Sequence, residues 1–149
     1  MNGASDEVFE LVQFTVDGKP IKIRRSKRKT AQTFTAMMPD EDQREVTVAY
    51  TYRALVQQHG HLLYLDIDKP TKGLKIGFSY GGCGIRYVNT LDFVASAQPT
   101  RIAQSPGSVP TQSVEISFDG WVFPRSGVAF VWVLDEELSA TKRDANRTV

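Results

Sequence analysis

The sequence has little cysteine and no long apolar run. Its single cysteine, Cys83, excludes an internal disulfide and is typical of a protein from a reducing compartment. No apolar stretch approaches the roughly twenty residues that a membrane-spanning helix needs, and residues 1–6 lack the basic start and apolar core of a secretory signal. We therefore expect a cytoplasmic protein with no membrane partner.

An excess of charge of one sign is also missing. Lys and Arg number 18 and Asp and Glu number 17, which gives a net charge of +1. Such a chain has no global field that attracts nucleic acid or anionic lipid, so a polyanion must be held by a local patch. The 149 residues, of which 41% are hydrophobic, suffice for one globular domain.

The sequence does contain a repeated alternation of apolar and polar residues. Phe14 and Val16 alternate with polar neighbours, Asp17-Gly18 offers the positive φ angles of a tight hairpin, and Ile21 and Ile23 resume the pattern. Similar short runs, about eight to ten in all, are separated by Gly, Pro and Asp clusters. This pattern predicts an all-β fold, an antiparallel two-sheet sandwich with Greek-key connections, with a flattened β-barrel as the alternative.

The pattern also predicts how the chain is organised. Residues 1–135 are expected to form a single sandwich domain, and residues 136–149 a polar, flexible tail. Residues 95–113 are rich in Gln, Pro, Ser and Thr, and predict a long surface connection with a short strand at 101–103. The last run, residues 128–134, is apolar on both faces and should be a central, buried strand. Trp121 and Trp132 are both expected in the core.

The most concentrated charge feature is a basic run after Ile23. It comprises Arg24, Arg25, Lys27, Arg28 and Lys29. Such a cluster is most often a solvated hairpin end, but it is also the best candidate for holding a phosphate or another small anion. It contains no aromatic residue, whereas proteins that bind single-stranded nucleic acid usually interleave basic and stacking side chains. A nucleic-acid partner is therefore possible but not favoured.

The two histidines, His59 and His61, are spaced so that both side chains could lie on one face of a strand and share a metal ion. A metal site needs another donor, for which Asp66, Asp68 or Asp92 is available only if the fold brings it there. Without that donor, the histidines are interpreted as ordinary residues at the entry of a strand.

Two further features have ordinary explanations. Cys83 lies among the glycines at 81, 82 and 84, where a reactive thiol would still need a histidine base, so we interpret the segment as a β-turn. Asp66 and Asp68 share a strand face and could form an acid–base pair, but acidic strand ends before a Pro-Gly turn are usually exposed to solvent.

Three segments of the second half carry a resemblance to a known family. They are Gly60-His61-Leu62-Leu63, the segment 66–74 (Asp-Ile-Asp-Lys-Pro-Thr-Lys-Gly-Leu) and the segment 120–130 (Gly-Trp-Val-Phe-Pro-Arg-Ser-Gly-Val-Ala-Phe). Residues 46–135 resemble the C-terminal sensor domain found behind adenylyl or guanylyl cyclases and related nucleotidyltransferases of bacterial anti-phage systems. The resemblance implies a domain that senses a ligand or phage-derived signal and passes it to a nucleotide-synthesising partner. No cyclase or transferase precedes the domain in this sequence, and no binding residues are carried over.

The sequence thus predicts a non-catalytic ligand-binding or signal-sensing module, whose ligand lies either on the basic loop at residues 24–29 or near the loop at residues 81–84. It contains no complete catalytic constellation, and no cofactor is expected. The alternatives are a small metal-dependent barrel enzyme using His59 and His61, or an assembly subunit joined through an unpaired sheet edge. The small-molecule ligand, the protein partner and the oligomeric state are not determined by the sequence.

Overall fold

The structure is a computed structural model that describes residues 8–38, 45–94, 99–106 and 108–138. Nearly all regular structure in these residues is antiparallel strand, which confirms the predicted all-β class. The described strands form open sheets and close into no barrel, so the barrel alternative is wrong. Across the same residues, no helix has both the length and the apolarity to cross a membrane.

The chain divides into two compact units, residues 1–59 and residues 60–149. The described residues of the first unit form five strands: β1 (Phe9–Val16), β2 (Lys19–Pro20), β3 (Ile23–Lys27), β4 (Gln32–Ala36) and β5 (Val48–Ala54). Strand β1 lies between β2 and β5 in one sheet, and β3 pairs with β4 in a second. The acidic turn at residues 39–42 lies outside the described residues.

The predicted hairpin at Asp17-Gly18 is confirmed. The two residues have φ angles of 49° and 76° and join β1 to β2, where Val16 pairs with Lys19. Positive φ at both central residues matches the twist of a two-residue hairpin, and Asp and Gly are among the few residues that adopt it at low cost.

The second unit is a sandwich of two three-stranded sheets. Its six strands are β6 (Leu62–Ile67), β7 (Thr71–Ser79), β8 (Ile85–Asp92), β9 (Arg101–Gln104), β10 (Ser113–Val122) and β11 (Ser126–Leu134). One sheet has the order β7-β10-β9 and the other β6-β11-β8. Most consecutive strands therefore lie in different sheets, which agrees with a two-sheet sandwich, while the Greek-key connections stay a prediction.

The core of the second unit lies between its two sheets. Strand β10 contributes Val114 and Ile116, and β11 contributes Phe130, Trp132 and Leu134, all at most 2% exposed. Fully burying each such side chain contributes roughly 1.5–3 kcal/mol. The two strands, one from each sheet, therefore supply much of the stability of the second unit. Because β11 is the middle strand of its sheet, the prediction of a central, buried last strand is confirmed.

Trp121 is not in the core, although we expected both tryptophans there. It is 44% exposed, whereas Trp132 is 1% exposed. Trp121 is an odd-numbered residue of β10, and the buried residues of that strand, Ile116 and Val122 among them, are even-numbered. Because alternate side chains of a strand point to opposite faces, Trp121 lies on the outer face.

The structure describes part of the long connection at residues 95–113 and part of the tail at residues 136–149. The short strand predicted at 101–103 is present as β9. A helical turn at residues 135–138 follows β11, and the tail beyond residue 138 lies outside the described residues. The boundaries 1–135 and 136–149 stay predictions.

Candidate functional site

The basic run lies on the β3–β4 hairpin of the first unit. Three of its cations, Arg24, Arg25 and Lys27, are on β3, and Arg28 and Lys29 are in the turn that follows. All five side chains are exposed. The turn is closed by a hydrogen bond of 2.8 Å from the Arg28 N–H to the Ala31 carbonyl. The hairpin therefore concentrates positive charge at one end of a two-stranded sheet.

Arg25 is held in a defined orientation by the neighbouring strand. Its Nε and Nη2 both donate to the Gln32 side-chain oxygen, at 3.1 and 2.6 Å. Its Cζ lies 5.5 Å from the ring centre of Phe34, the cross-strand partner of Arg25. A guanidinium over an aromatic face is attracted by the ring's quadrupole, so the planar group is partly preorganised for a ligand.

Arg25 also lines an open groove within the first unit. The cavity has a volume of about 330 Å³. The residues that line it, apolar except for Gln13 and Arg25, are Leu11, Val12, Gln13, Phe14, Ile21, Ile23, Arg25 and Phe34. Concave apolar walls with a few fixed polar groups are typical of small-molecule sites, and this volume lies at the lower end of their range.

Aromatic rings of the first unit contact one another in a series of pairs. Phe9 contacts Phe34, at 5.6 Å between ring centres, and stacks on Tyr52 at 5.0 Å. Phe14 stacks on Tyr50 at 6.0 Å. Burial, and in second place the neighbouring Tyr50, raises the pKa of Tyr52 above its ordinary value. Two of these rings, Phe14 and Phe34, also line the groove.

The structure brings the two histidines together, but through a turn and not on one strand face. His59 lies in the 3₁₀ turn η1 (Gln58–Gly60), and His61 immediately precedes β6. Within the second unit, Nε2 of His61 lies 3.1 Å from a carboxylate oxygen of Glu137. The carboxylate beside His61 in the described residues is therefore that of Glu137, and Asp66, Asp68 and Asp92, which could serve only if the fold brought them there, are not part of this pair.

Glu137 was missed because residues 136–149 were interpreted as a tail. It lies in the helical turn after β11, and its Oε2 accepts a hydrogen bond of 2.9 Å from the Leu134 N–H. A Glu at the third position of a helix commonly bonds back to the residue before the helix in this way. The acidic triplet 135–137 directly after a buried strand is the sequence signal that indicates such a turn.

The remaining candidates are on the surface. Asp66 and Asp68 are exposed, as expected, and Asp66 accepts a hydrogen bond of 3.1 Å from the Tyr64 hydroxyl. Cys83 is exposed within the turn at residues 81–84, and its Sγ lies 3.8 Å from the Gly81 carbonyl oxygen. The histidine cluster formed by the described residues does not include this thiol.

Comparison with protein-family models, with curated proteins and with solved structures gave no match.

Proposed function

We propose that this protein is a non-catalytic binding module whose first unit binds a small anion with an apolar or aromatic part, such as a nucleotide. The observation that carries the proposal is the position of Arg25. Its guanidinium lies at the wall of an apolar groove and is braced by Gln32 and Phe34.

The groove and the cation suit the two halves of such a ligand. A planar ring gains from burial against apolar walls that include Ile23 and Phe34, while a phosphate gains charge-assisted hydrogen bonds from a guanidinium. A nucleotide is favoured over a nucleic acid because the groove has a volume of only about 330 Å³ and the chain's net charge is only +1.

The other cations of the hairpin act over a longer range. Lys27 is two residues from Arg25 on β3, so it shares the Arg25 face, whereas Arg24 lies on the opposite face. Together with Arg28 and Lys29 they raise the local concentration of an approaching anion, an effect that salt screens over roughly 8 Å at physiological ionic strength. Binding should therefore weaken as salt is added.

In the cell, we propose that this binding module acts as a sensor in the cytoplasm. A module that binds a nucleotide agrees with the resemblance to sensor domains that regulate nucleotide-synthesising partners in bacterial defence. The metal-dependent alternative is not an enzyme of barrel type, because the described strands form no barrel.

The test is calorimetric titration of the purified chain with nucleoside mono- and triphosphates and cyclic nucleotides. We expect saturable binding at one ligand per chain and weaker binding of the matching nucleoside. Arg25→Gln should weaken binding by roughly 10- to 100-fold, the value of one or two charge-assisted hydrogen bonds.

The matched control is Arg53→Gln. Arg53 is an exposed arginine of the same unit, on β5, outside the groove lining, and its pair with Glu10 at 3.4 Å is solvent-exposed. Equal affinity of both variants for the same nucleotide would show that Arg25 is not part of the site, and no binding of any nucleotide would refute the proposed ligand class.

A further inference from the structure

Strand β5 forms one edge of the sheet β2-β1-β5, and no other described strand pairs with its outer side. We infer that β5 pairs in antiparallel fashion with β5 of a second copy of the chain, which joins two three-stranded sheets into one continuous sheet. The inference concerns the first unit alone and does not depend on nucleotide binding.

The other edges of the first unit are shorter, and two of them carry residues that discourage pairing. Strand β2, at the opposite edge of the same sheet, consists of Lys19 and Pro20, and Pro has no N–H to donate. Strands β3 and β4 have five residues each, and β3 carries three exposed cations. Strand β5 has seven residues and contains neither Lys, Pro nor Gly. Among the described strands of this unit, β5 is therefore the edge best suited to pair with another chain.

The backbone groups of β5 point alternately to β1 and to the outer edge. At one end, the Asp17 N–H donates to the Thr47 carbonyl at 2.8 Å. At the other end, the Leu55 N–H donates to the Val8 carbonyl at 2.8 Å. The odd-numbered residues of β5 therefore face β1, because the N–H and C=O groups of successive residues in an antiparallel strand point to opposite sides. The groups that point to the outer edge are those of Val48, Tyr50, Tyr52 and Ala54.

The sequence of β5 is self-complementary when two copies pair around Thr51. In this register Tyr50 lies opposite Tyr52 of the second copy, and Val48 lies opposite Ala54 of the second copy. These residues direct their N–H and C=O groups outward, so each pair can exchange both of its backbone hydrogen bonds. A register centred on any other residue leaves at least one of them beyond the end of the partner strand.

The side chains of β5 agree with the same register. Tyr50 stacks on Phe14 with 6.0 Å between ring centres, and it is 58% exposed. Tyr52 stacks on Phe9 at 5.0 Å. Pairing places Tyr52 of the second copy beside Tyr50, so the aromatic series continues across the interface, and cross-strand aromatic pairs stabilise sheets. On the other face, Thr51 meets Thr51 of the second copy, a pair that also stabilises antiparallel strands.

The charges at this edge are compatible with a second copy. Arg53 is the single charged residue of β5 and lies opposite Ala49 of the second copy. The two Arg53 residues are then four positions apart along the strands, roughly 13 Å, which exceeds the roughly 8 Å over which salt screens charge. The net charge of +1 per chain adds little repulsion between copies.

The size of the contact determines how tightly the copies associate. A single strand edge buries less than the roughly 800 Å² per partner of a standard stable interface. We therefore expect a dimer that dissociates on dilution. Larger species are not expected, because a twofold pairing occupies the outer edge of β5 in both copies.

The first test is sedimentation equilibrium of the full chain, without nucleotide, over a range of concentrations. We expect a reversible monomer–dimer equilibrium. Thr51→Lys and Thr51→Glu each place like charges directly opposite one another, so each variant alone should be monomeric. An equimolar mixture of the two variants should dimerise, because opposite charges then face each other. Recovery in the mixture also shows that both variants are folded.

Disulfide trapping tests the register, in a Cys83→Ser background that removes the single native thiol. Thr51 faces β1, so its pair with the second copy is of the closer, non-hydrogen-bonded type, with roughly 4.5 Å between Cα atoms. This distance lies within the range of disulfides, and Thr51→Cys should form a covalent dimer on mild oxidation. The matched control is Ala49→Cys on the same face. Its two copies lie four positions apart, roughly 13 Å, so no disulfide should form.

The outcomes decide the inference in both directions. A dimer that each Thr51 charge variant abolishes, that their mixture restores and that Thr51→Cys traps supports it. A parent chain that stays monomeric at every soluble concentration, a dimer that both single variants retain, a mixture that stays monomeric, or equal trapping by Ala49→Cys would overturn it. Association is measured without nucleotide, so this inference and the proposed function can fail separately.

Discussion

Phe130→Ala should lower the free energy of unfolding of the second unit by about 3–5 kcal/mol, the usual cost of truncating a buried Phe. Phe130 is 0% exposed, and its ring stacks on Phe78 with 4.7 Å between ring centres. Truncation leaves a cavity between the two sheets that rigid β11 cannot close. Both tryptophans lie in this unit, so urea unfolding followed by tryptophan fluorescence measures the effect directly.

The matched control is Phe123→Ala in the same unit. Phe123 immediately follows β10 and is 58% exposed, so the same truncation should change the free energy of unfolding by less than about 1 kcal/mol. Similar losses for the two variants would mean that the core does not lie between the sheets as described.

Gly127→Ala should destabilise the second unit by about 1–3 kcal/mol, the cost of forcing an added methyl group into a packed site. Gly127 lies on β11 opposite Asp66 of β6, and a Cβ there would lie 2.8 Å from the Leu65 carbonyl oxygen. This oxygen belongs to the backbone, so β6 must move away from β11 to accommodate the methyl group. The Gly127 carbonyl also accepts from the Phe93 N–H at 2.9 Å, which opposes movement of β11 itself.

Gly77→Ala provides the comparison for this prediction. Gly77 is within β7, and a Cβ there would meet nothing within 4 Å. Replacing it should be neutral or stabilising by up to about 1 kcal/mol, because Ala loses less backbone freedom on folding than Gly. Urea midpoints measured on both variants distinguish the cases, and a tolerated Ala at position 127 would contradict the close approach of β6 and β11.

The elements of this fold were predictable from the sequence because they depend on local rules. Alternation placed the strands, Asp17-Gly18 specified a hairpin, and a run that is apolar on both faces identified β11 as central. The same rule, applied strictly, also assigns Trp121 to the outer face. The prediction that Trp121 lies in the core was wrong because it followed the residue type, whereas the position of Trp121 in the alternation determines its face.

The candidate sites depend on pairings between residues distant in the chain, which alternation does not specify. The basic run has no aromatic residue of its own, but strand pairing places Phe34 beside Arg25. Likewise, nothing near His61 in the sequence indicates that Glu137, 76 positions later, lies 3.1 Å away. The two histidines, by contrast, lie in and directly after the local turn η1 and not on one strand face.

The most direct test of the proposed binding module is a nuclear magnetic resonance titration of the isotope-labelled chain with the tightest-binding nucleotide. The proposal predicts saturable shifts of amide signals around the groove, at Leu11, Ile23, Arg25 and Phe34, with the signals of β10 and β11 unchanged. Shifts confined to the second unit, or no shifts at saturating nucleotide, would contradict it.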